Sequence, residues 1–353
     1  MNGTMRAAVF RDRRGDKRVA PEREMSLSLV DKEIPQCIGA HDVVIRVLAA
    51  GLCQTDVHLI DGNAVAGVRP FDGMTLGHES GGVVVEVGPT VRSVSVGDFV
   101  LCYPFIPADE SGAAGSRPPA EGKPRITPGI SQDGGFAEYL LTDERCLVGV
   151  PDEATCRDFV ALTDAGLAAF NAVERVVRHV SADSPVVIIG LGGLGHLGVQ
   201  FALAMGLRRV FAIEPRDTVR LWASQLPIEA IFESVQGAAA ELHRQGIQVG
   251  GVIDFVGSTD TADFAIEVLG FQGIYVATGV GGRLELPIAE VVERELTIQG
   301  AFVGTIEQLR NCIDLSLQAN IRPLTRNYEL TEVNQAISDL VGGRVLGRAV
   351  VNP

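Results

Sequence analysis

The chain has 353 residues, 46% of them hydrophobic, with 41 glycines and a formal net charge of −14. This length and composition suit about two compact domains and exclude a disordered chain. The acidic balance argues against a nucleic-acid partner, because phosphate contacts need a lysine and arginine footprint.

No apolar segment followed by a small-residue cleavage site opens the chain, and the longest apolar runs, such as Pro185–Leu191, are far too short to span a bilayer. The six cysteines (Cys37, Cys53, Cys102, Cys146, Cys156, Cys312) are scattered, with no CxxC pair and no legible disulfide framework. A soluble, cytoplasmic protein with no membrane partner is the default expectation. The basic run Arg11–Arg18 is broken by Asp12 and Asp16 and reads as a solvated loop.

Met5–Phe10, Asp42–Ala50, Gly81–Val87 and Asp98–Cys102 are predicted strands, rich in β-branched residues and punctuated by glycine and proline. The first part of the chain is therefore expected to be mainly β. Tyr103–Gly134 holds six prolines, has four glycines before Gly134 and lacks apolar periodicity, which predicts a long surface loop. The texture changes near residue 165. Ala165–Val177 has a helical apolar pattern, and Val186–Ile189 is a short continuous apolar strand of the kind buried on both faces of a parallel sheet. Gly195–Met205 reads as a helix and Val210–Ile213 as the next strand, with further strands at Gly251–Val256 and Gly273–Thr278. Alternating strands and helices predict an α/β fold with a doubly wound sheet. Two amphipathic helices, Ile306–Ala319 and Thr331–Leu340, precede a closing strand at Gly347–Val351.

Gly190-Leu191-Gly192-Gly193-Leu194-Gly195 lies directly after a predicted strand and opens a predicted helix, the context a dinucleotide site requires. Gly190 permits the tight turn, Gly192 lets the backbone approach a pyrophosphate, and Gly195 allows close helix–strand packing. The free N–H groups of the helix start then face the phosphates. Glu214 ends the next strand, 19 residues beyond Gly195. A carboxylate there accepts both ribose hydroxyls of NAD and repels the 2′-phosphate of NADP. Arg216 lies two residues on and could favour that phosphate, so NAD is expected over NADP with Arg216 as the complication.

Cys53-Gln54-Thr55-Asp56-Val57-His58, Gly77-His78-Glu79 and Asp164 supply thiolate, imidazole and carboxylate donors. Taken singly, Cys53 fits a small buried hydrophobe, His78 a satisfied polar residue and Asp164 a helix cap. Zinc takes S, N and O donors and keeps a fourth position open in catalytic sites. Zinc beside a nicotinamide cofactor suggests hydride transfer between an alcohol and a carbonyl.

With these motifs, together with Gly51-Leu52 before Cys53, Ser80-Gly81-Gly82 after Glu79, Val87-Gly88, Gly97-Asp98 and Leu162-Thr163-Asp164-Ala165-Gly166, the chain resembles the zinc-dependent alcohol dehydrogenases of the medium-chain dehydrogenase/reductase superfamily. The resemblance covers nearly the whole length. It implies a GroES-like catalytic domain from residues 1–165 and 305–353, with a Rossmann domain at 166–304 between them. It implies Cys53, His78 and Asp164 as ligands of one catalytic zinc, Glu79 as a residue behind the metal, and Asp56 as the acceptor that orients His78. Thr55 and His58 resemble the family's proton relay, in which Thr55 takes the alcohol proton, the cofactor ribose passes it on and His58 delivers it to water. Dimers or tetramers of identical chains are the family's usual assemblies.

Two departures stand out. Relatives often carry four closely spaced cysteines for a structural zinc after Gly97-Asp98, whereas this chain has Cys102 and then only Cys146, so no structural zinc is expected. Position 54 is Gln where some relatives place a basic phosphate-binding residue, which shifts the expected pyrophosphate contact to Arg348. Tyr103 and Phe105 fall where relatives line the substrate cleft and suggest an apolar or aromatic alcohol, although a core role fits them equally. The competing readings are a zinc-free quinone or enoyl reductase, a non-catalytic cofactor-binding redox sensor, and a zinc/NAD enzyme running an internal redox reaction such as dismutation or epimerisation.

Overall fold

The computed structural model describes residues 3–12, 26–62, 68–106 and 127–353. Most of the Arg11–Arg18 run and the middle of Tyr103–Gly134 lie outside the described residues. The chain divides into two compact units: Met1–Asp164 with Thr305–Ile313 and Pro323–Pro353, and Ala165–Gly304 with Asp314–Arg322.

The first unit is built on strands. They are β1 (Thr4–Val9), β2 (Ser28–Glu33), β3 (Asp42–Leu52), β4 (Glu79–Val87), β5 (Phe99–Cys102), β6 (Tyr139–Asp143) and β7 (Leu147–Val150), with short helices α1 (Gln54–Ile60) and α2 (Glu153–Phe159). β14 (Thr325–Glu329), α10 (Val333–Val341) and β15 (Arg348–Asn352) return from the C-terminal end of the chain. A seven-stranded sheet runs β14-β15-β3-β4-β5-β7, with β6 pairing on β3; β1 and β2 form a separate antiparallel pair. The sheet closes over a core that includes Ile45, Leu52, Leu59, Met74, Leu76, Phe136 and Val351. Antiparallel register decides the site. Gly51 lies opposite Glu79, and Ala349 lies opposite Leu52. These pairings bring Arg348, Glu79 and Cys53 to one end of three neighbouring strands.

The second unit alternates as its periodicity predicts. It comprises α3 (Ala165–Val177), β8 (Val186–Ile189), α4 (Gly195–Ala204), β9 (Val210–Ile213), α5 (Asp217–Ala223), β10 (Ala230–Phe232), α6 (Val235–Arg244), β11 (Val249–Asp254), α7 (Thr259–Val268), β12 (Leu269–Ala277), α8 (Ile288–Glu293) and β13 (Thr297–Gly300). Helix α9 (Ile306–Gln318) spans the border between the units. The strands form a parallel sheet in the order β10-β9-β8-β11-β12-β13. Strand order reverses beside β8, and ligands of such sheets bind at the carboxyl ends of the strands at that switch. Val186–Ile189 and Val210–Ile213 are buried along their whole lengths, as continuous apolar runs in a parallel sheet should be.

Two expectations need correction. The strand expected at Gly251–Val256 stops at Asp254, whose side chain accepts the N–H groups of Val256 and Gly257 and turns the chain out of the sheet. The expected surface loop Tyr103–Gly134 is not superficial at its described ends. Tyr103 is buried, Thr127–Gly129 and Gly134 are buried, and glycines there allow backbone to pack on backbone.

Candidate active site

The metal-ligand candidates are assembled by Asp56. The Cys53 N–H donates to Asp56 Oδ2 at 2.8 Å, which starts α1 and turns the fully buried carboxylate inward. Its other oxygen accepts the Gly77 N–H at 3.3 Å and faces His78 Nδ1 at 3.2 Å. One carboxylate thus ties the start of α1 to the backbone leading into β4. With Nδ1 against that carboxylate, the ring proton belongs there and Nε2 is free to serve as a ligand. His78 Nε2 lies 3.6 Å from Asp164 Oδ2, and Cys53 Sγ lies 3.9 Å from the same oxygen.

One ligand atom each from Cys53, His78, Glu79 and Asp164 lies within 4.8 Å of the others. Tetrahedral zinc with bonds of about 2.0–2.3 Å sets its ligand atoms about 3.3–3.8 Å apart. The thiolate, imidazole and Asp164 carboxylate are that donor set; the His78–Asp164 distance falls inside that range and the Cys53–Asp164 distance just outside it. The group is consistent with a metal centre whose second carboxylate, Glu79, is restrained. Arg348 donates to both Glu79 oxygens, through Nε at 3.0 Å and through Nη2. Its Nη2 is also 3.9 Å from Asp164 Oδ2. Gly51, opposite Glu79 in the ladder, leaves the space this carboxylate fills, because a Cβ there would overlap Glu79 Oε2.

The charges are mutually tuned. Burial opposes a charged His78, yet Asp56 and Asp164 on its two sides hold its pKa well above the usual histidine range. Burial alone would raise Asp164, but His78 and Arg348 more than offset it and hold the carboxyl low. Burial pushes the Glu79 carboxyl up, against the guanidinium that stabilises its anion. Arg348 is raised well above its ordinary value: desolvation opposes the charge, but the surroundings of Glu79, Asp164 and the Cys53 sulfur outweigh it. The Arg348 guanidinium thus lies on Glu79 and beside Asp164 in this structure. The strand register that carries it past Cys53 is the reason.

Thr55 and His58 lie three residues apart on α1, a spacing that puts them on neighbouring positions of one helix face. Thr55 is half-buried and His58 exposed. Tyr103 packs edge-on to Phe105, with ring centroids 5.5 Å apart.

In the second unit, Gly190 takes φ +81°, a left-handed turn that glycine adopts freely, and a Cβ on Gly195 would overlap the Gly190 carbonyl. A Cβ on Gly192 would meet only Arg216 Nη2, at 3.5 Å. Gly193 and Leu194 complete the turn before α4. Turn, small residues and helix start fit a pyrophosphate. At the end of β12, Thr278 Oγ1 is buried with no hydrogen-bond partner among the described residues, another atom a bound cofactor could satisfy.

Glu214, 1% exposed, caps β9. Its Oε2 accepts the Leu191 N–H at 2.9 Å, and Oε1 accepts the Arg216 N–H at 3.0 Å. The Arg216 guanidinium adds bonds of 2.7 and 2.9 Å. Burial alone would raise the Glu214 carboxyl, but these donors outweigh it and hold the pKa low. The sequence sets Arg216 beside this carboxylate; in the structure Arg216 pairs with it, and the carboxylate also fastens the glycine turn through Leu191.

The sequence reading missed the Arg348–Glu79 pair and the fit of Gly51 to Glu79. The strand register carries both, and only the Gly51-Leu52-Cys53 and Gly77-His78-Glu79 segments signalled it.

Comparison with known proteins agrees with this geometry. Residues 39–152 match the alcohol dehydrogenase GroES-like domain, and residues 193–318 match the zinc-binding dehydrogenase domain. An alcohol dehydrogenase of Geobacillus stearothermophilus is 28% identical over 340 residues, covering 94% of this chain and 97% of that one. A probable D-xylulose reductase A of Aspergillus clavatus is 30% identical over 327 residues, covering 89% and 90%. The crystal structure of the alcohol dehydrogenase from the archaeon Aeropyrum pernix superposes with a TM-score of 0.88 at 30% identity, over 99% of this chain and 100% of that one. The fold and the donor set define a medium-chain oxidoreductase with a GroES-like and a Rossmann-type domain. The chain belongs to the zinc-dependent alcohol dehydrogenase family of that superfamily.

Proposed function

We propose that this oxidoreductase interconverts a secondary or aromatic alcohol and its carbonyl with NAD, on a single zinc held by Cys53, His78 and Asp164. The observation that carries the reading is the convergence of sulfur, nitrogen and oxygen donors within 4.8 Å of one another while Arg348 holds Glu79. A zinc ion there would act as a Lewis acid, lowering the pKa of the reacting hydroxyl. The chain's own groups do the rest. Asp56 orients His78, Arg348 restrains Glu79 so that one position stays open to substrate, and Thr55 accepts the hydroxyl proton, which the ribose of a bound cofactor would pass on to exposed His58 for release to water. Gly190 to Gly195 cradle the pyrophosphate, and Glu214 with Arg216 sets the NAD over NADP preference. The edge-on contact of buried Tyr103 with half-buried Phe105 near the end of β5 supports an apolar substrate. The domain assignment we adopt is 1–165 and 305–353 catalytic and 166–304 cofactor-binding. We assign the chain to a cytoplasmic homodimer or homotetramer; none of its described helices is long and apolar enough to cross a membrane.

The test is a panel of primary, secondary and aromatic alcohols and their carbonyls, followed at the NADH absorbance band, with elemental analysis of the same sample. About one zinc per chain and cofactor-dependent turnover of secondary or aromatic alcohols are expected. Two tightly held zincs per chain would overturn the metal assignment. Substrate conversion without added cofactor would replace it with an internal redox reaction.

A further inference from the structure

We infer that the segment Thr127–Phe136 is a positioning element for the metal ligand His78, with Asp133 as its key residue. The inference rests on the zinc reading above and concerns residues outside the motifs from which that reading was made.

Three strands of contact support it. Backbone pairing comes first. The N–H groups of Gly134, Gly135 and Phe136 donate to the carbonyls of Thr75, Gly77 and Leu76 at 2.9, 2.7 and 2.9 Å. This segment therefore runs along residues 75–77, directly before His78. Packing comes second. A Cβ on Gly134 would overlap the Gly77 carbonyl oxygen. A Cβ on Gly129 would overlap the Gly77 carbonyl and come 2.8 Å from the His78 nitrogen. A Cβ on Gly135 would overlap the Ser80 hydroxyl, two residues beyond His78. Backbone lies on backbone at Gly129 and Gly134, so Gly77 has no room to move toward the segment. Gly77 itself has φ +94°, and Asp56 holds its N–H from the other direction. The peptide that carries His78 is fixed from both sides.

The anchor comes third. Asp133 Oδ1 accepts the Thr75 N–H at 2.8 Å, and Oδ2 pairs with Lys32 Nζ at 2.6 Å. Lys32 also reaches the Gly73 carbonyl at 3.3 Å and Thr75 Oγ1 at 3.4 Å. Lys32 belongs to β2, outside the seven-stranded sheet. One carboxylate thus joins β2, the segment and the backbone entering β4. Asp56 aims the His78 ring, while Asp133 and the glycines set where its backbone starts. Groups that orient a metal ligand typically change metal affinity or activity about 10–100-fold when removed.

Zinc release reads this directly. The zinc-loaded protein is mixed with a chromophoric chelator and the dissociation rate is measured, and cobalt-substituted protein is examined by its visible spectrum. Asp133→Ala and Gly134→Ala should release zinc at least about tenfold faster than the unsubstituted chain and shift the cobalt bands. Asp133→Asn keeps an acceptor for Thr75 and should restore most of the slow release. Gly149→Ala is the control, since a Cβ there meets nothing within 4 Å, and it should release zinc at the original rate. If Gly134→Ala does not fold, the Asp133 pair of variants still decides. Variants that melt earlier yet release zinc at the original rate with an unchanged cobalt spectrum would make the segment merely structural and overturn the inference. An unsubstituted protein that holds no zinc would instead refute the metal reading itself.

Discussion

The metal cluster and the cofactor turn are both polar sites at strand ends, yet they are finished to different degrees. At the cluster, Asp56 holds Cys53 and His78, and Arg348 with the space at Gly51 holds Glu79. At the turn, Glu214 is spent on Leu191 and Arg216, while Thr278 Oγ1 has no hydrogen-bond partner among the described residues. The first site is preorganised by packing in a strand ladder; the second is preorganised by backbone conformation, with Glu214 fastening the turn through the Leu191 N–H. Substitutions at the cluster should therefore disturb the protein itself, and substitutions at the turn should disturb binding.

Asp164→Ala should show the largest effect. Removing a charged ligand costs more than the roughly 10–100-fold typical of residues one step removed from a metal. Turnover should fall more than about 100-fold and zinc should be lost on dialysis, while NADH fluorescence titration stays close to normal because the glycine turn lies in the other unit. Full zinc and full activity in this variant would reduce Asp164 to a neighbour of the ligands.

A pair of glycine substitutions tests the contrast itself. Gly51→Ala puts a methyl where Glu79 Oε2 sits, and overpacking of this kind destabilises by about 1–3 kcal/mol. Gly192→Ala meets only the far end of Arg216. The cofactor-free melting temperature should fall for Gly51→Ala and stay unchanged for Gly192→Ala, whereas the KM for NAD should rise only for Gly192→Ala. Equal losses of stability in both would remove the distinction between the two sites.

Much of this was legible in the chain. The continuous apolar runs at Val186–Ile189 and Val210–Ile213 could only be buried parallel strands, and both sit inside the sheet. The Cys53–Asp56 spacing places Asp56 at the third position of α1, so its carboxylate turns back on the Cys53 N–H. What escaped was set by long-range register. Arg348 reaches Glu79 across 269 residues because β15 pairs with β3, and no local pattern announces that pairing. Asp133 escaped for the same reason. It lies in a glycine-rich stretch whose composition reads as surface loop, and only its contact with residues 75–77 gives it a task.

The smallest expected effect concerns cofactor choice, and it depends on how firmly Arg216 stays on Glu214. A carboxylate facing a 2′-phosphate is a like-charge contact, amounting to several kcal/mol at an effective dielectric of ~20. The paired guanidinium cancels part of that repulsion. Donors from Arg216 and Leu191 keep Glu214 ionised, so the negative charge persists through the neutral range. We expect the unsubstituted enzyme to favour NAD about tenfold in kcat/KM, which corresponds to about 1.4 kcal/mol. Glu214→Gln keeps an oxygen for the Leu191 N–H and removes the charge, freeing Arg216 for a phosphate, so the preference should shrink or reverse. Arg216→Ala leaves the carboxylate unpaired and should widen it. The two substitutions pull in opposite directions, which separates an electrostatic effect from general damage to the glycine turn, since damage would lower kcat/KM for both cofactors alike. An unsubstituted enzyme that prefers NADP would reverse the assignment and make Arg216 the residue that reads the phosphate.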